Sequence, residues 1–283
     1  MQSLRIDLHT HSSYSDGVLT PAALVERASA NRVEVLALTD HDETGGLAEA
    51  TGAACEARIA FVPGVEVSIT WAGLTLHVVG LGINATNAAL AEGLAGIRLS
   101  RGLRAVQIAE QLAAAGIPDS LAGASRLAGH AAAIGRAHFA RFLVEQGFAA
   151  DTQSAFKKYL GRAGCAYVTH RWASLGHAVA WIHGAGGRVV LAHPDRYGLT
   201  PVQMHALFDE FKELGGSALE LSGGSRANPV ALLRSAKHFG FSLSAGSDFH
   251  AAVKGVADVG EIPPIPDCAS RLWQDWEALR PAA

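Results

Sequence analysis

Hydrophobic and polar positions follow two rhythms along this chain. Short β-branched segments such as LRIDLH, VEVLALT and RVVLAH alternate with stretches in which apolar residues recur at helical spacing, as is typical of βαβ units in a parallel sheet. Thr20-Pro21 and Thr200-Pro201 mark two helix starts, because threonine caps a helix N-terminus and proline suits the first helical turn. The pattern therefore predicts an α/β fold of strand–helix repeats.

Two segments break this rhythm. Trp71-Ala72-Gly73 separates two strand patterns, which predicts a hairpin of residues 65–69 and 74–81. Between residues 84 and 167 the strand pattern disappears, and alanine, leucine and arginine follow helical spacing. We therefore expect a barrel formed by residues 1–83 and 168–283, with residues 84–167 as a helical insertion. A helix near Leu272 is expected to close the chain.

Composition narrows the class of protein. The 283 residues are 49% hydrophobic, enough for one substantial core. The first residues lack the pattern of a secretory signal, and no apolar run reaches membrane-spanning length. The three cysteines, Cys55, Cys165 and Cys268, lie far apart and outside any CxxC motif, which argues against a disulfide framework or a thiolate metal site. We expect a cytoplasmic protein that does not bind membranes, and the sequence indicates no protein partner.

Charge is unevenly distributed. Residues 97–171 contain ten Lys and Arg against four Asp and Glu, a net charge of +6, whereas the rest of the chain carries −9. Amphipathic helices with solvated arginines would also produce this excess, so it indicates an anion-binding surface only in combination with other features.

Histidines and carboxylates cluster where predicted strands end. Parallel barrels place their functional residues at the C-terminal ends of strands, so these residues should converge in space. The spacing of His9 and His11 puts both rings on one face of a strand, which suits chelation of one ion, although two such histidines could also hydrogen-bond across a barrel mouth. The residues at successive strand ends are His9, His11, Asp40, His41, Asp42, His193, Asp248 and His250.

The segments HTHSSYSDG, LTDHD, GVEVS, AHP and GSDFH, together with His77, resemble the polymerase and histidinol phosphatase (PHP) family of the amidohydrolase superfamily. The resemblance covers nearly the whole chain and implies a distorted (β/α)7 barrel with a trinuclear metal centre. It implies one ion on His9, His11, Glu66 and Asp248, a second on Glu66, His77 and His193, and a third on Asp16, His41 and His250. Some relatives have histidine in place of Asp16, so the third ion is the least defined. Asp40 and Asp42 are expected to support these ligands without binding an ion.

Imidazole and carboxylate ligands without thiolate suit Mn, Fe or Zn. The resemblance favours three manganese ions. A pair of such ions can produce a bridging hydroxide and clamp the oxygens of an in-line displacement, which is phosphoester hydrolysis. No side chain is then needed as a catalytic nucleophile.

The insertion is expected to shape the substrate pocket, and its sequence indicates the class of substrate. IGRAHFARFLVEQGF, SAFKKYLGRAG and AYVTHRW resemble free-standing PHP phosphatases that remove the 3′-phosphate of nucleoside 3′,5′-bisphosphates, and related members trim short RNA from its 5′ end. A second phosphate requires its own cationic pocket, for which guanidinium groups are suited. Arg136, His138 and Arg171 are the predicted substrate-binding residues.

Other functions remain open at this stage. A 5′ to 3′ exoribonuclease could use the same pocket with a longer leaving group, and a histidinol phosphate phosphatase would use the same metals. A non-catalytic metal-binding module, of the kind attached to DNA polymerases, is the alternative from another class. The predicted partner is a small nucleotide, with short RNA as the alternative.

Overall fold

Seven strands form one sheet whose spatial order is their chain order. The computed structural model describes residues 4–128, 134–223, 229–253, 255–266, 268–274 and 276. The strands are β1 (Ile6–Asp7), β2 (Val35–Leu38), β3 (Ala60–Trp71), β4 (Leu74–Leu81), β5 (Arg188–Leu191), β6 (Ala218–Ser222) and β7 (Ser242–Gly246). The amide of Leu8 donates to the carbonyl of Ala245 at 3.0 Å, which joins the first and last strands. The sheet is thus nearly closed, and the predicted barrel is confirmed.

Two strand pairs distort this barrel. β4 runs antiparallel to both β3 and β5, whereas the remaining neighbours are parallel. The predicted hairpin is confirmed, and its first strand extends back to Ala60. The start of β4 lies beside the C-terminal end of β5, because Val78 pairs with Leu191.

Helices connect the strands and form the insertion. They are α1 (Pro21–Ala30), α2 (Leu47–Ala57), α3 (Ala88–Ala114), α4 (Ser120–Leu127), α5 (Arg136–Glu145), α6 (Thr152–Ala155), α7 (Leu175–Gly184), α8 (Pro201–Glu213) and α9 (Pro229–Phe239). A π-helical turn, Phe156–Leu160, continues α6. The predicted caps are confirmed, since Thr20 accepts from the amide of Ala23 and Thr200 from that of Gln203.

The helix expected near Leu272 is not formed at residues 271–274, and residues 277–283 lie outside the described part of the chain. Residues 272–274 form a turn, and the amide of Leu243 on β7 donates to the carbonyl of Ser270 at 2.8 Å. The amide of Leu272 donates to Leu243 at 2.9 Å instead of to a carbonyl four residues earlier. Its side chain is buried with Ile6 and Leu8, so pairing with β7 and packing at the barrel override the apolar pattern.

The insertion packs around a separate group of buried side chains. Ile108, Leu112 and Phe139 belong to this group, whereas Leu90 and Leu94 at the start of α3 pack against the barrel. The start of α3 therefore belongs to the core of the barrel, and its later part belongs to the core of the insertion. Within the described ranges no helix is both long and apolar enough to cross a membrane.

Candidate metal and phosphate site

The ends of the strands bring the predicted ligands together. His9 and His11 follow β1, His41 follows β2, and His193 and Asp248 follow β5 and β7. Asp42, His193 and Asp248 have positive φ angles of 52°, 29° and 55°. Non-glycine residues hold such conformations at a cost of roughly 1 to 3 kcal/mol, and these conformations concentrate at functional sites.

Glu66 lies at the centre of this cluster and is fully buried. Its Oε2 is 2.8 Å from Nδ1 of His41. Its Oε1 is 3.0 Å from Nδ1 of His77 and 3.1 Å from Nε2 of His193. His77 reaches the site because β4 pairs with β3 in the register that sets it opposite Ser68. The antiparallel hairpin thus supplies two of the site's side chains.

Two further contacts complete the arrangement. Nε2 of His11 is 3.1 Å from Oδ1 of Asp248, and Nε2 of His250 is 3.1 Å from Oδ1 of Asp16. Ligand atoms close enough to share one ion fall into three groups among the described residues. These groups are His9, His11, Glu66 and Asp248; His41, Glu66 and His77; and His11, Asp16, His41 and His250. The structure therefore assembles the expected ligand sets, except that His41 rather than His193 completes the second and His11 joins the third.

The unpaired atoms of this cluster fit divalent cations. Glu66 Oε2, His41 Nδ1, His77 Nδ1 and Asp16 Oδ1 are buried and lack a hydrogen bond of good geometry within the described part of the chain, although they lie close to one another. Burial opposes ionisation of Glu66, but His41, His77 and His9 outweigh it and hold its pKa well below the usual range. Burial and the nearby His250 lower the pKa of His11 to about 3. An ionised carboxylate and a neutral imidazole are the forms that bind metals.

Asp40 and Asp42 belong to none of the three ligand groups. Asp40 accepts from the hydroxyls of Ser12 and Ser15, both at 2.6 Å, and so fixes the loop that carries His11 and Asp16. Asp42 accepts from the amide of Ser68 at 2.7 Å and from Nε of Arg101 at 2.8 Å. Our proposal that both carboxylates support the ligands without binding an ion rests on these contacts.

A cluster of arginines from the insertion adjoins the predicted metal ligands. Arg101, Arg104 and Arg136 form this arginine cluster, and the Arg101 and Arg104 guanidiniums lie 4.9 and 5.4 Å from the ring centre of Trp172. Arg104 is 93% buried, and its Nε has no hydrogen-bond partner in the described ranges. Burial, followed by the charges of Arg136 and Arg101, lowers the pKa of Arg104 to about 9. Like charges held together under partial desolvation form a site that an anion would stabilise.

The three predicted substrate residues occupy different positions. Arg136 lies in the arginine cluster, where burial lowers its pKa. His138 is buried, and its Nδ1 accepts from the amide of Gly135 at 3.0 Å. Arg171 is exposed. The structure therefore brings Arg136, and neither Arg171 nor the buried His138 ring, into this cluster.

Sequence reasoning missed several side chains of the site. Arg101 and Arg104 were included only in the net charge of the insertion. Arg196 pairs with Asp248 and donates to the hydroxyl of Ser222 at 2.7 Å. Glu220 lies against His9. The one signal for Glu220 in the sequence is a charged residue inside the otherwise apolar strand ALELS.

Comparison with known proteins agrees with this geometry. The PHP domain family matches residues 7–95. The chain is 46% identical to a 3′,5′-nucleoside bisphosphate phosphatase of Chromobacterium violaceum, over 98% of this chain and 99% of the relative. It is 42% identical to the 5′-3′ exoribonuclease Rnm of Escherichia coli, over 96% and 93% of the two chains.

A solved structure shows the same fold. An amidohydrolase from Chromobacterium violaceum, with bound sulfate and no metal, superposes with a TM-score of 0.93 at 44% identity, covering 97% of this chain and 96% of the other. The barrel, the cluster of ligands at its strand ends and a relative of this similarity over the full length lead to one assignment. The chain belongs to the PHP family.

Proposed function

We propose that this chain removes the 3′-phosphate of nucleoside 3′,5′-bisphosphates, such as adenosine 3′,5′-bisphosphate, to yield the 5′-monophosphate and phosphate. The observation that carries the proposal is the arginine cluster beside the metal ligands. Asp42 connects the two, because it follows the ligand His41 in the chain and accepts from Arg101. A substrate with two phosphates can then place one at each site. The relative with this activity is similar over its full length.

Metal ions are part of this proposal. The nine expected ligands, His9, His11, Asp16, His41, Glu66, His77, His193, Asp248 and His250, offer nitrogen and oxygen atoms that suit Mn, with Fe or Zn as alternatives. When bound, such ions polarise a phosphoryl group and activate water at neutral pH. Glu66 has contacts to all three ligand groups, since Oε2 is also 3.4 and 3.3 Å from Nε2 of His9 and His11. A three-ion centre is the arrangement that uses every one of these side chains.

The arginine cluster accounts for the phosphate that is not cleaved. Guanidinium groups bind phosphate oxygens through paired N–H donors. Arg104 is buried with an unpaired Nε, and Arg136 lies 5.7 Å from the ring centre of Phe156. Neither has a carboxylate partner among the described contacts, so a phosphate would satisfy both. We place the 5′-phosphate here.

A second candidate activity is 5′ to 3′ cleavage of short RNA. The similarity to the exoribonuclease Rnm favours it, and a 5′-phosphate in the arginine cluster would position the next phosphodiester at the metal ligands. The two activities differ in the leaving group rather than in the pocket. A histidinol phosphate phosphatase would leave the arginine cluster unused, and a non-catalytic module would have no need of it.

Kinetics on two substrates test the proposal. Arg136→Ala should lower kcat/KM for adenosine 3′,5′-bisphosphate by one to two decades, since a lost charge-assisted hydrogen bond costs about 1.5 to 3 kcal/mol. An aryl phosphate has no second phosphate, so its kcat/KM should change by less than about twofold. The control is Arg126→Ala, which removes an insertion arginine whose partner is the exposed Glu145.

Two results would count against the proposal. Equal losses on both substrates would mean that Arg136 acts by packing. A wild-type preference for a 5′-phosphorylated RNA trimer over the bisphosphate would favour the exoribonuclease.

A further inference from the structure

A glutamate in the barrel interior has no role in the activity described so far. Glu220 lies in the middle of β6 and is 99% buried. Burying a carboxylate costs several kcal/mol unless it is paired. Within the described ranges Oε1 of Glu220 has no hydrogen-bond partner, and the contacts of its carboxylate are made by Oε2. A buried charge in this position must be compensated by what Oε2 contacts.

Oε2 of Glu220 contacts two ligand residues from two other strands. Nδ1 of His9 is 2.9 Å away, and the backbone N–H of His193 donates to the same oxygen at 3.1 Å. His193 is the residue whose φ is +29°, so Glu220 holds an unfavourable backbone conformation in place. The carboxylate thus joins the ends of β1 and β5 from its position on β6.

The contact with His9 determines which ring nitrogen faces the cluster. A carboxylate acceptor at Nδ1 requires a proton on that nitrogen, which leaves the Nε2 lone pair free. Nε2 of His9 is 3.1 Å from Nε2 of His11 and 3.5 Å from Oδ1 of Asp248. All three atoms belong to one ligand group, together with Glu66. The lone pair of His9 is therefore directed at the place where an ion would be shared.

We propose that Glu220 is a positioning residue of the metal centre, which fixes the Nδ1–H tautomer of His9 and the backbone of His193 through one oxygen. The inference rests on the metal centre of the proposed function. Carboxylate–histidine pairs of this kind orient metal ligands, and their loss typically lowers metal affinity 10- to 100-fold. Here one carboxylate would affect ligands attributed to two different ions.

Metal affinity in substrate-free protein tests this role. Glu220→Gln keeps the size of the side chain but removes its charge and can present an N–H to His9, so it should weaken binding of Zn²⁺ or Mn²⁺ about 10- to 100-fold in chelator competition. Glu220→Ala should weaken it at least as much. The control is Ser244→Ala, which truncates a buried polar side chain directly opposite Glu220 on β7. Its affinity should remain within about twofold of the wild type.

NMR of the histidine rings provides a readout that packing alone would not change. In wild-type protein labelled with ¹⁵N-histidine and loaded with Zn²⁺, His9 should carry its proton on Nδ1 and bind through Nε2. In Glu220→Gln this tautomer should be lost or mixed. Binding of wild-type His9 through Nδ1 would overturn the proposal without any variant, as would Glu220→Gln with wild-type affinity and ring signals. Because no substrate is present, a failed substrate assignment leaves these measurements interpretable.

Discussion

At the scale of single residues, buried carboxylates differ in role because they differ in partner. Glu66 faces five imidazoles, Asp42 faces Arg101 and Ser68, and Glu220 faces the far nitrogen of His9. The first arrangement suits metal binding, the second neutralises a cation, and the third orients a ligand. Partner identity, rather than residue type, separates these functions.

The prediction at this scale concerns His138 and the pH dependence of the unfolding free energy. Burial lowers the pKa of His138 to about 4. The charge of Asp16 opposes this shift, whereas those of Arg141 and Arg101 add to it. The folded protein then binds fewer protons than the unfolded chain, whose histidine pKa is 6.5, so this stability is present above pH 6.5 and is lost as pH falls towards 4. Between pH 7 and pH 5 the wild type should lose about 2 kcal/mol more unfolding free energy than His138→Gln.

Urea denaturation at the two pH values measures this difference. His177→Gln is the control, because that ring is exposed on α7, and this variant should follow the wild type. If His138→Gln shows the same pH dependence as the wild type, folding does not lower the pKa of His138.

At the scale of elements, α5 connects the insertion to the metal ligands. Its first residue, Arg136, belongs to the arginine cluster, and Arg141 one turn later donates to the carbonyl of Asp16 at 2.6 Å. The loop after β1 is therefore held by Asp40 from the barrel side and by α5 from the insertion side. Through this arrangement the insertion would influence both the proposed substrate pocket and the loop that carries Asp16.

The prediction at this scale concerns closure of the barrel between β7 and β1. A Cβ at Gly246 would lie 2.2 Å from Cβ and 2.7 Å from N of His9, so β7 can approach β1 only with glycine there. Gly246→Ala should therefore destabilise the fold by about 1 to 3 kcal/mol, as overpacking does, and should reduce bound metal by displacing His9. Thermal unfolding and elemental analysis measure the two effects.

Gly52→Ala is the matched control. Its Cβ would meet nothing within 4 Å, and it lies inside α2, so alanine should stabilise the protein by about 0.5 to 1 kcal/mol. Equal stability of Gly246→Ala and the wild type would show that the two strands can separate at no cost.

At the scale of the whole molecule, the barrel collects ligands from residues 9 to 250 and so links folding to metal binding. We predict two to three ions per chain, and loss of phosphatase activity on chelation. One ion at about 100 times its Kd contributes about 2.7 kcal/mol, so each ion that chelation removes should lower Tm by about 5 to 10 °C. Elemental analysis and calorimetry measure both quantities, and adding back Mn²⁺, Fe²⁺ or Zn²⁺ shows which ion restores turnover. Full activity with fewer than two ions per chain would contradict the multinuclear centre.

The sequence by itself determined the order of strands and helices and the hairpin, and it proposed the metal-ligand positions that the structure brings together. It could do so because period and capping are local properties, and because parallel strands place their C-terminal ends at one mouth whatever the intervening residues are. His9, His41, His193 and Asp248 were found in this way. The turn at Leu272 was missed, because its apolar pattern suits a helix equally well and only packing against β7 decides between them.

Tertiary structure alone decided which side chains meet across the barrel. Glu220 and His9 are 211 residues apart, and no spacing rule relates them. The arginine cluster likewise combines residues of α3 with the first residue of α5, and Arg171, equally basic in the sequence, lies exposed. Which buried charges pair depends on distances set by the closed sheet and the packed insertion, and these distances are not encoded in any single segment.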